Sequence, residues 1–212
     1  MQGPSHLLVS WYFAEALALP TPRERRIVAW AGFAPDIDVL AYIGALAYYR
    51  LDKDLAFENV WQVVHHRYTH GIGFVLLTGV IAYWLARGRK ATVALLAMAA
   101  SAIHNFLDLV AGGPTWPVYP LWPLSDRPWS ASWSWTIGEW PNIVILFACL
   151  AGMLLYARLA GRSPFECFGD RADAWLVRTV RNETAAASGK LRWVIWAGLL
   201  VLVIGVLAPL LK

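Results

Sequence analysis

The chain has 212 residues, of which 58% are hydrophobic and 15% charged, where soluble domains carry about 25% charged residues. With a mean hydropathy of +0.49, this excludes a disordered or collagen-like chain and points away from a soluble globular enzyme. The formal net charge of +4 is accounted for by basic connections between membrane helices, which face the cytoplasm, so no nucleic-acid partner is expected.

Six apolar stretches follow one another, at about residues 7–19, 27–50, 71–86, 91–111, 140–160 and 191–211. The last two are long enough to cross a hydrocarbon core, which takes ~20 helical residues. The first and third are short, and Ala34-Pro35-Asp36-Ile37-Asp38 interrupts the second. No Lys or Arg precedes the first stretch, so it lacks the basic region of a signal peptide and is read as part of the mature protein. Every second connection is basic: Arg23, Arg25 and Arg26, then Arg87, Arg89 and Lys90, then seven Arg and Lys residues between 158 and 192. Basic loops stay in the cytoplasm, so both termini, 51–70 and 112–139 are expected on the far side. The fold expected is all-α: a polytopic membrane helix bundle of about five to six membrane helices with a broken second helix. It is read as one domain over 1–212, with its motifs in 1–130 and a helical C-terminal part at 140–212.

The connections have characters of their own. Residues 112–140 hold six of the 13 Trp; Trp favours the boundary between lipid and water, and this loop reads as an interfacial belt that doubles as a wall over a lipid site. Residues 170–182 set Trp175, Leu176, Val177 and Val180 among charges, the pattern of an amphipathic helix lying on the cytoplasmic surface. The region 161–190 is a candidate contact for a cytoplasmic protein. Cys149 and Cys167 are too few for a disulfide framework and read as free thiols.

All five His lie in the first half of the chain, near Asp36, Asp38 and Asp108. Ionisable residues within membrane stretches are costly and mark function by default. His66 and His70 stand four apart, as do His104 and Asp108, and on an α-helix such pairs share one face. This is a spacing that grips metal without bending the backbone. Asp36 and Asp38 would point ~200° apart on a straight helix; Pro35 is expected to push Ala34 out of helical geometry and let both carboxylates converge. Counted from the basic helix ends, His6, Asp36, His70, His104 and Asp108 lie 13 to 18 residues away, or ~20–27 Å at 1.5 Å per residue. That is one layer near the non-cytoplasmic rim. Imidazole and carboxylate without thiolate suit a hydrolytic Zn, Mn or Fe site. Seven candidates are too many for one ion, so two divalent metals are expected, with Asp36 or Asp108 bridging. His65 lies ~100° off the His66/His70 face and is left out.

Five motifs occur in order: Pro4-Ser5-His6-Leu7-Leu8, Pro35-Asp36-Ile37-Asp38, His66-Arg67-Tyr68-Thr69-His70-Gly71, His104-Asn105-Phe106-Leu107-Asp108 and Pro120-Leu121-Trp122-Pro123-Leu124-Ser125. Together they resemble the YdjM-type family of bacterial inner-membrane, metal-dependent hydrolases, also described as LexA-binding. The resemblance covers about residues 1–130. It implies a metal-dependent hydrolase of the bacterial inner membrane, with metal-ligand roles for His6, Asp36, His66, His70, His104 and Asp108, and a weaker implication for Asp38. The family pattern usually has Ser after the second His of the third motif, where this chain has Gly71.

The function expected is therefore hydrolysis of a phosphoester or pyrophosphate bond of a lipid-type substrate by metal-bound hydroxide. Asp36 or Asp108 would orient or deprotonate the water, Arg67 would neutralise the substrate's non-bridging oxygens, and Thr69 and Asn105 would support the ligands. The alternative is a transporter or metal permease that uses the same His/Asp cluster as an ion path.

Overall fold

A computed structural model of the chain describes residues 1–181 and residue 183. The sixth apolar stretch and the end of the 161–190 region lie outside the described residues. Within them the protein is helical, with no strand and a single bridge between Val118 and Trp129. This is the all-α architecture expected. The chain divides into two compact units, Met1–Ile137 and Gly138–Lys212.

The first unit opens with α1 (Gly3–Ala16), 14 residues long and too short to cross a bilayer unaided. Thr21 caps α2 (Pro22–Phe33): its side chain accepts from the Glu24 amide, and Pro22 fills the first turn, where a missing N–H costs nothing. At the same end Arg25 pairs with Glu15 and donates to the Leu19 carbonyl, which ties the α1–α2 turn to α2. A 3₁₀ turn (Ala34–Asp38) follows, then α3 (Val39–Tyr48). From Pro22 to Tyr48 the helix is long and apolar enough to span.

The interruption of the second stretch is thus present, but its form differs from the one expected. Ala34 keeps helical dihedrals, φ −56° and ψ −32°. Pro35 enters the first turn of the 3₁₀ segment, where its ring and absent N–H are tolerated. The backbone therefore tightens instead of extending. At three residues per turn, Asp36 and Asp38 leave the axis ~120° apart; both approach His70, but Asp36 joins His104 and Asp108 while Asp38 joins His65.

Residues 53–69, which carry no long apolar run, are also helical. Asp52 caps the four-residue α4 (Lys53–Ala56) by accepting from the Asp54 and Leu55 amides. Two π-helical segments follow, Phe57–Trp61 and Val64–Thr69. The chain then breaks at His70–Gly71 and turns by 66° into α5 (Ile72–Leu85). Next comes α6 (Lys90–Ala111), 22 residues. Among the described residues three helices are long and apolar enough to cross a membrane, or four if the bent pair counts as one span.

Small side chains bring α1, α2, α5 and α6 together. Ala14, Ala31, Ala82, Ala97 and Ala100 are buried in one cluster with Val28 and Val93, as expected where close van der Waals contact, not water exclusion, holds helices together in lipid. Gly32 marks the tightest approach: a Cβ there would lie 1.9 Å from Ser10 Oγ and 3.2 Å from Ala100 Cβ.

Residues 112–137 form the Trp-rich loop, and backbone bonds stitch it to the helix break. Tyr119 donates to the His66 carbonyl, while Ile72 and Gly73 donate to the carbonyls of Pro120 and Trp122. Gly71 has no room for a side chain, since a Cβ would meet the Trp122 carbonyl oxygen at 2.7 Å and that of Arg67 at 2.9 Å. That contact accounts for glycine at this position.

The second unit holds α7 (Trp140–Ala160), a 3₁₀ turn (Pro164–Phe168) and α8 (Asp170–Arg181). Ser163 accepts from the Phe165 amide and donates to Asp173 at 2.6 Å. The expected amphipathic segment is α8: Leu176 and Val177 are buried while Arg171 and Arg178 are exposed. Neither Cys149 nor Cys167 forms a disulfide.

Gly32→Ala forces Ser10 and the α1–α2–α6 contact apart, at a cost of about 1–3 kcal/mol for overpacking. Nothing lies within 4 Å of a Cβ built on Gly44 of α3, so Gly44→Ala should gain about 0.5–1 kcal/mol by helix propensity. Thermal unfolding in detergent is expected to show opposite shifts for the two variants.

Candidate metal centre

The apolar helices deliver their polar groups to one place. On α6 the buried side chains Ser101, His104, Asn105 and Asp108 recur at intervals of three and four, one stripe of a helix face. The 3₁₀ turn brings Asp36, the helix break brings His70, and α1 brings His6. These positions lie at the far ends of α2, α5 and α6 from Arg23, Arg87 and Lys90. Donor atoms of Asp36, His70, His104 and Asp108 all lie within 4.8 Å of one another.

Asp108 is the hub. Its Oδ1 faces His6 Nε2 at 2.9 Å and also carries the Met1 α-amino group. Its Oδ2 lies 3.1 Å from His70 Nε2 and 3.3 Å from His104 Nε2. The two imidazole nitrogens are 3.1 Å apart, and Asp36 Oδ1 lies 3.6 Å from His104 Nε2. His6 stacks on His104 with ring centroids 3.6 Å apart.

The neighbours of each ring fix which nitrogen carries the proton. His104 Nδ1 faces the Gly32 carbonyl at 2.8 Å; a carbonyl only accepts, so Nδ1 is the N–H. Thr69 Oγ1 donates to Asp38 Oδ2 at 2.8 Å, so its lone pairs receive His70 Nδ1–H at 3.0 Å. Both Nε2 atoms are then lone-pair donors, and they point at each other and at a carboxylate oxygen. Three acceptors meet with no hydrogen among them. That arrangement is costly when buried and is relieved by a cation. Four ligands at ~2.0–2.1 Å around a tetrahedral ion stand about 3.3 Å from one another. The separations among His70, His104 and Asp108, 3.1–3.3 Å, fit that spacing, and Asp36 stands 3.6 Å from His104 and within 4.8 Å of the others.

A second group lies on the other side of His70: Asp38, His65 and His70. Its protons are accounted for. Asp38 accepts from Trp61 Nε1 at 3.3 Å, from His65 Nδ1 at 2.7 Å and from Thr69. Asp38 therefore acts through Thr69 on His70, holding the imidazole in the tautomer that presents Nε2 to the first group. Asn105 donates to the His70 carbonyl at 3.0 Å and anchors the same residue through its backbone.

Of the residues expected at the site, Asp36, His70, His104 and Asp108 form the four-donor group. His6 reaches it through Asp108 Oδ1, and Asp38 through Thr69. His66 is not brought to either group: its Nε2 is buried without a partner, and its ring packs on Trp116 with centroids 4.4 Å apart. His65, which the α-helical spacing discards, lies beside His70 with centroids 4.0 Å apart. The reason is local. Residues 64–69 are π-helical, so the ladder runs i→i+5 and stacks residue 65, not 66, under residue 70. No run in the sequence announces that ladder; a five-residue His–His spacing is its one trace. Gly32, whose carbonyl orients His104, and Trp61 carry no sequence signal for their roles. Arg67 stands outside the cluster, over the Tyr119 ring at 4.7 Å and 3.6 Å from Asp126.

Residues 1–209 match the family model described as YdjM inner membrane protein. The resemblance carried by the motifs of residues 1–130 thus extends over nearly the whole chain. Searches of curated proteins and of solved structures found no match to this chain.

Thr69→Val removes the hydroxyl that links Asp38 to His70, leaving two buried groups short of a partner at a cost of about 1–3 kcal/mol. Thr69→Ser keeps the link. Unfolding in detergent is expected to separate the two, with Thr69→Val the less stable.

Proposed function

The chain belongs to the YdjM inner membrane protein family, and on that premise we propose that it is a membrane-embedded, metal-dependent hydrolase of a phosphoester or pyrophosphate bond in a lipid-type substrate. One observation carries the reading: His70 Nε2, His104 Nε2 and Asp108 Oδ2 meet in a buried site while the Nδ1 of each ring is taken up by Thr69 or by the Gly32 carbonyl. Asp36, His70, His104 and Asp108 would hold a divalent ion, with zinc or manganese the best match to mixed nitrogen and oxygen ligands. Bound there, it supplies Lewis acidity toward a phosphoryl oxygen and lowers the pKa of water. A second ion would have to sit on Asp38 and His65, whose contacts already use their protons; one equivalent at the four-donor group is the simpler assignment.

The chain's own groups divide the remaining work. Asp108 is engaged by His6, His70 and His104 and is a ligand and organiser. Asp36 is different: Oδ2 is buried and has no partner. It is the carboxylate oxygen free to orient a water and take its proton. Arg67, about 41% exposed, stands at the rim on the residue next to His66 and is available to a substrate anion.

The lipid assignment rests on location and on shape. An apolar groove of about 380 Å³ runs between α2 and α5. Its upper end is walled by Phe33, Ala34 and Phe74, next in sequence to or near Asp36 and His70, and Arg26 stands at the other end. An acyl chain fits such a groove with its headgroup toward the cluster. The alternation of basic connections supports a cluster that faces the non-cytoplasmic side.

Purified protein is expected to contain about one metal per chain, lost in His70→Ala and in Asp108→Ala, by elemental analysis. It should release phosphate or a phosphorylated headgroup from lipid phosphates when given Zn or Mn. Asp36→Asn, which removes a ligand charge together with the proton acceptor, should weaken metal binding and, at saturating metal, still lose about 10²–10⁴-fold in turnover, the usual worth of a general base. Metal-dependent uptake into proteoliposomes without hydrolysis would favour a permease instead.

A further inference from the structure

A second pocket is lined by none of the four donor residues of the cluster. Gln62, Val63, His66, Arg67, Pro117 and Tyr119 line a cavity of about 380 Å³ between the π-helical segment and the Trp-rich loop. His66 is 3% exposed, and its Nε2 is buried with no hydrogen-bond partner. Burying an unpaired ring nitrogen is unfavourable, so a partner for it is expected from outside the chain. Arg67 brings a permanent positive charge to the same wall. Its guanidinium rests on the Tyr119 ring at 4.7 Å, which leaves its N–H edge available. Its ion pair with Asp126 at 3.6 Å joins side chains 41% and 73% exposed; such pairs are weak and readily exchanged. The polar groups of the wall are the Gln62 amide, the His66 imidazole, the Arg67 guanidinium and the Tyr119 phenol, and among the described residues no carboxylate lines it.

We infer that this pocket is a phosphate-binding subsite, in which Arg67 pairs with the P–O⁻ oxygens and His66 Nε2 takes one hydrogen bond from the same group. The chemistry of the donors favours phosphate. Guanidinium matches phosphate oxygens in a two-pronged geometry. A neutral imidazole accepts from P–OH, and a protonated one donates to P–O⁻. A neutral sugar or alcohol would leave the arginine unanswered. The subsite deepens the hydrolase reading and rests on it only for its role: it holds a phosphate of the substrate or product next to the cluster, with Tyr119 tied to the His66 carbonyl so that loop and helix move as one wall. His66 is on this view a recognition residue one step removed from the metal ligands.

The test is a calorimetric titration of inorganic phosphate into the full chain in detergent. Wild type and Asp108→Ala should bind alike, because the pocket does not use the cluster. Arg67→Ala and His66→Ala should each weaken binding at least tenfold, and Arg67→Lys should recover part of it. Arg67 is exposed, so its variants keep the fold even if His66→Ala does not. Unchanged affinity in Arg67→Ala, or binding lost in Asp108→Ala, overturns the inference; the second result would put the phosphate on the metal group. Competition then tells the source. Displacement by dispersed phosphatidic acid but not by glycerol phosphate marks a lipid headgroup, displacement by both marks any phosphate monoester, and displacement by neither overturns the subsite. Phosphate binding without hydrolysis of any lipid phosphate would leave the subsite standing and remove the hydrolase reading, so the two fail separately.

Discussion

Buried lone pairs that face one another are the constraint on which this structure turns. His70, His104 and Asp108 are nearly or fully removed from solvent, inside a bundle of Ala, Val and Leu where nothing solvates an unmatched acceptor. Every contact around them sets their direction. Gly32 and Thr69 take the Nδ1 protons of the two rings, Asp38 holds Thr69, and Asn105 holds the backbone of His70. The scaffold spends small residues on close helix approach so that these polar groups can be packed at all.

The helices supply the rest by where they stop. Asp36 follows the end of α2, His70 precedes the start of α5, and Asp108 lies in the last turn of α6. The irregular backbone at these points, a 3₁₀ turn and a sharp break, is tolerated at membrane depth because it is buried in protein and lined by polar partners. The Trp-rich loop completes the wall by bonding its carbonyls to Ile72 and Gly73.

Much of this was legible in the sequence. Three apolar stretches gave helices within a residue of their expected bounds, at 72–85, 90–111 and 140–160, because long apolar runs have few alternatives in lipid. His70, His104, Asp36 and Asp108 were legible as a group, since buried charge in a greasy chain has few innocent explanations. What escaped depended on backbone geometry that side-chain pattern does not encode. A π-helical ladder replaced the α-helical one at 64–69, which exchanged His65 for His66 beside His70. A tightened 3₁₀ turn replaced an extended break at Pro35, which sent Asp36 and Asp38 to different partners. The carbonyl of Gly32 carries no signal in its side chain, yet it decides the proton on His104.

The π-helical stretch has a consequence for how this chain tolerates change in length. Each wide turn stores one residue more than an α-helical turn would. Removing Arg67 or Tyr68 would let the wide turn relax to the commoner winding. His65 would then stand four residues before His70 and keep its place on the same face, so the pair would survive the shortening with no substitution at either.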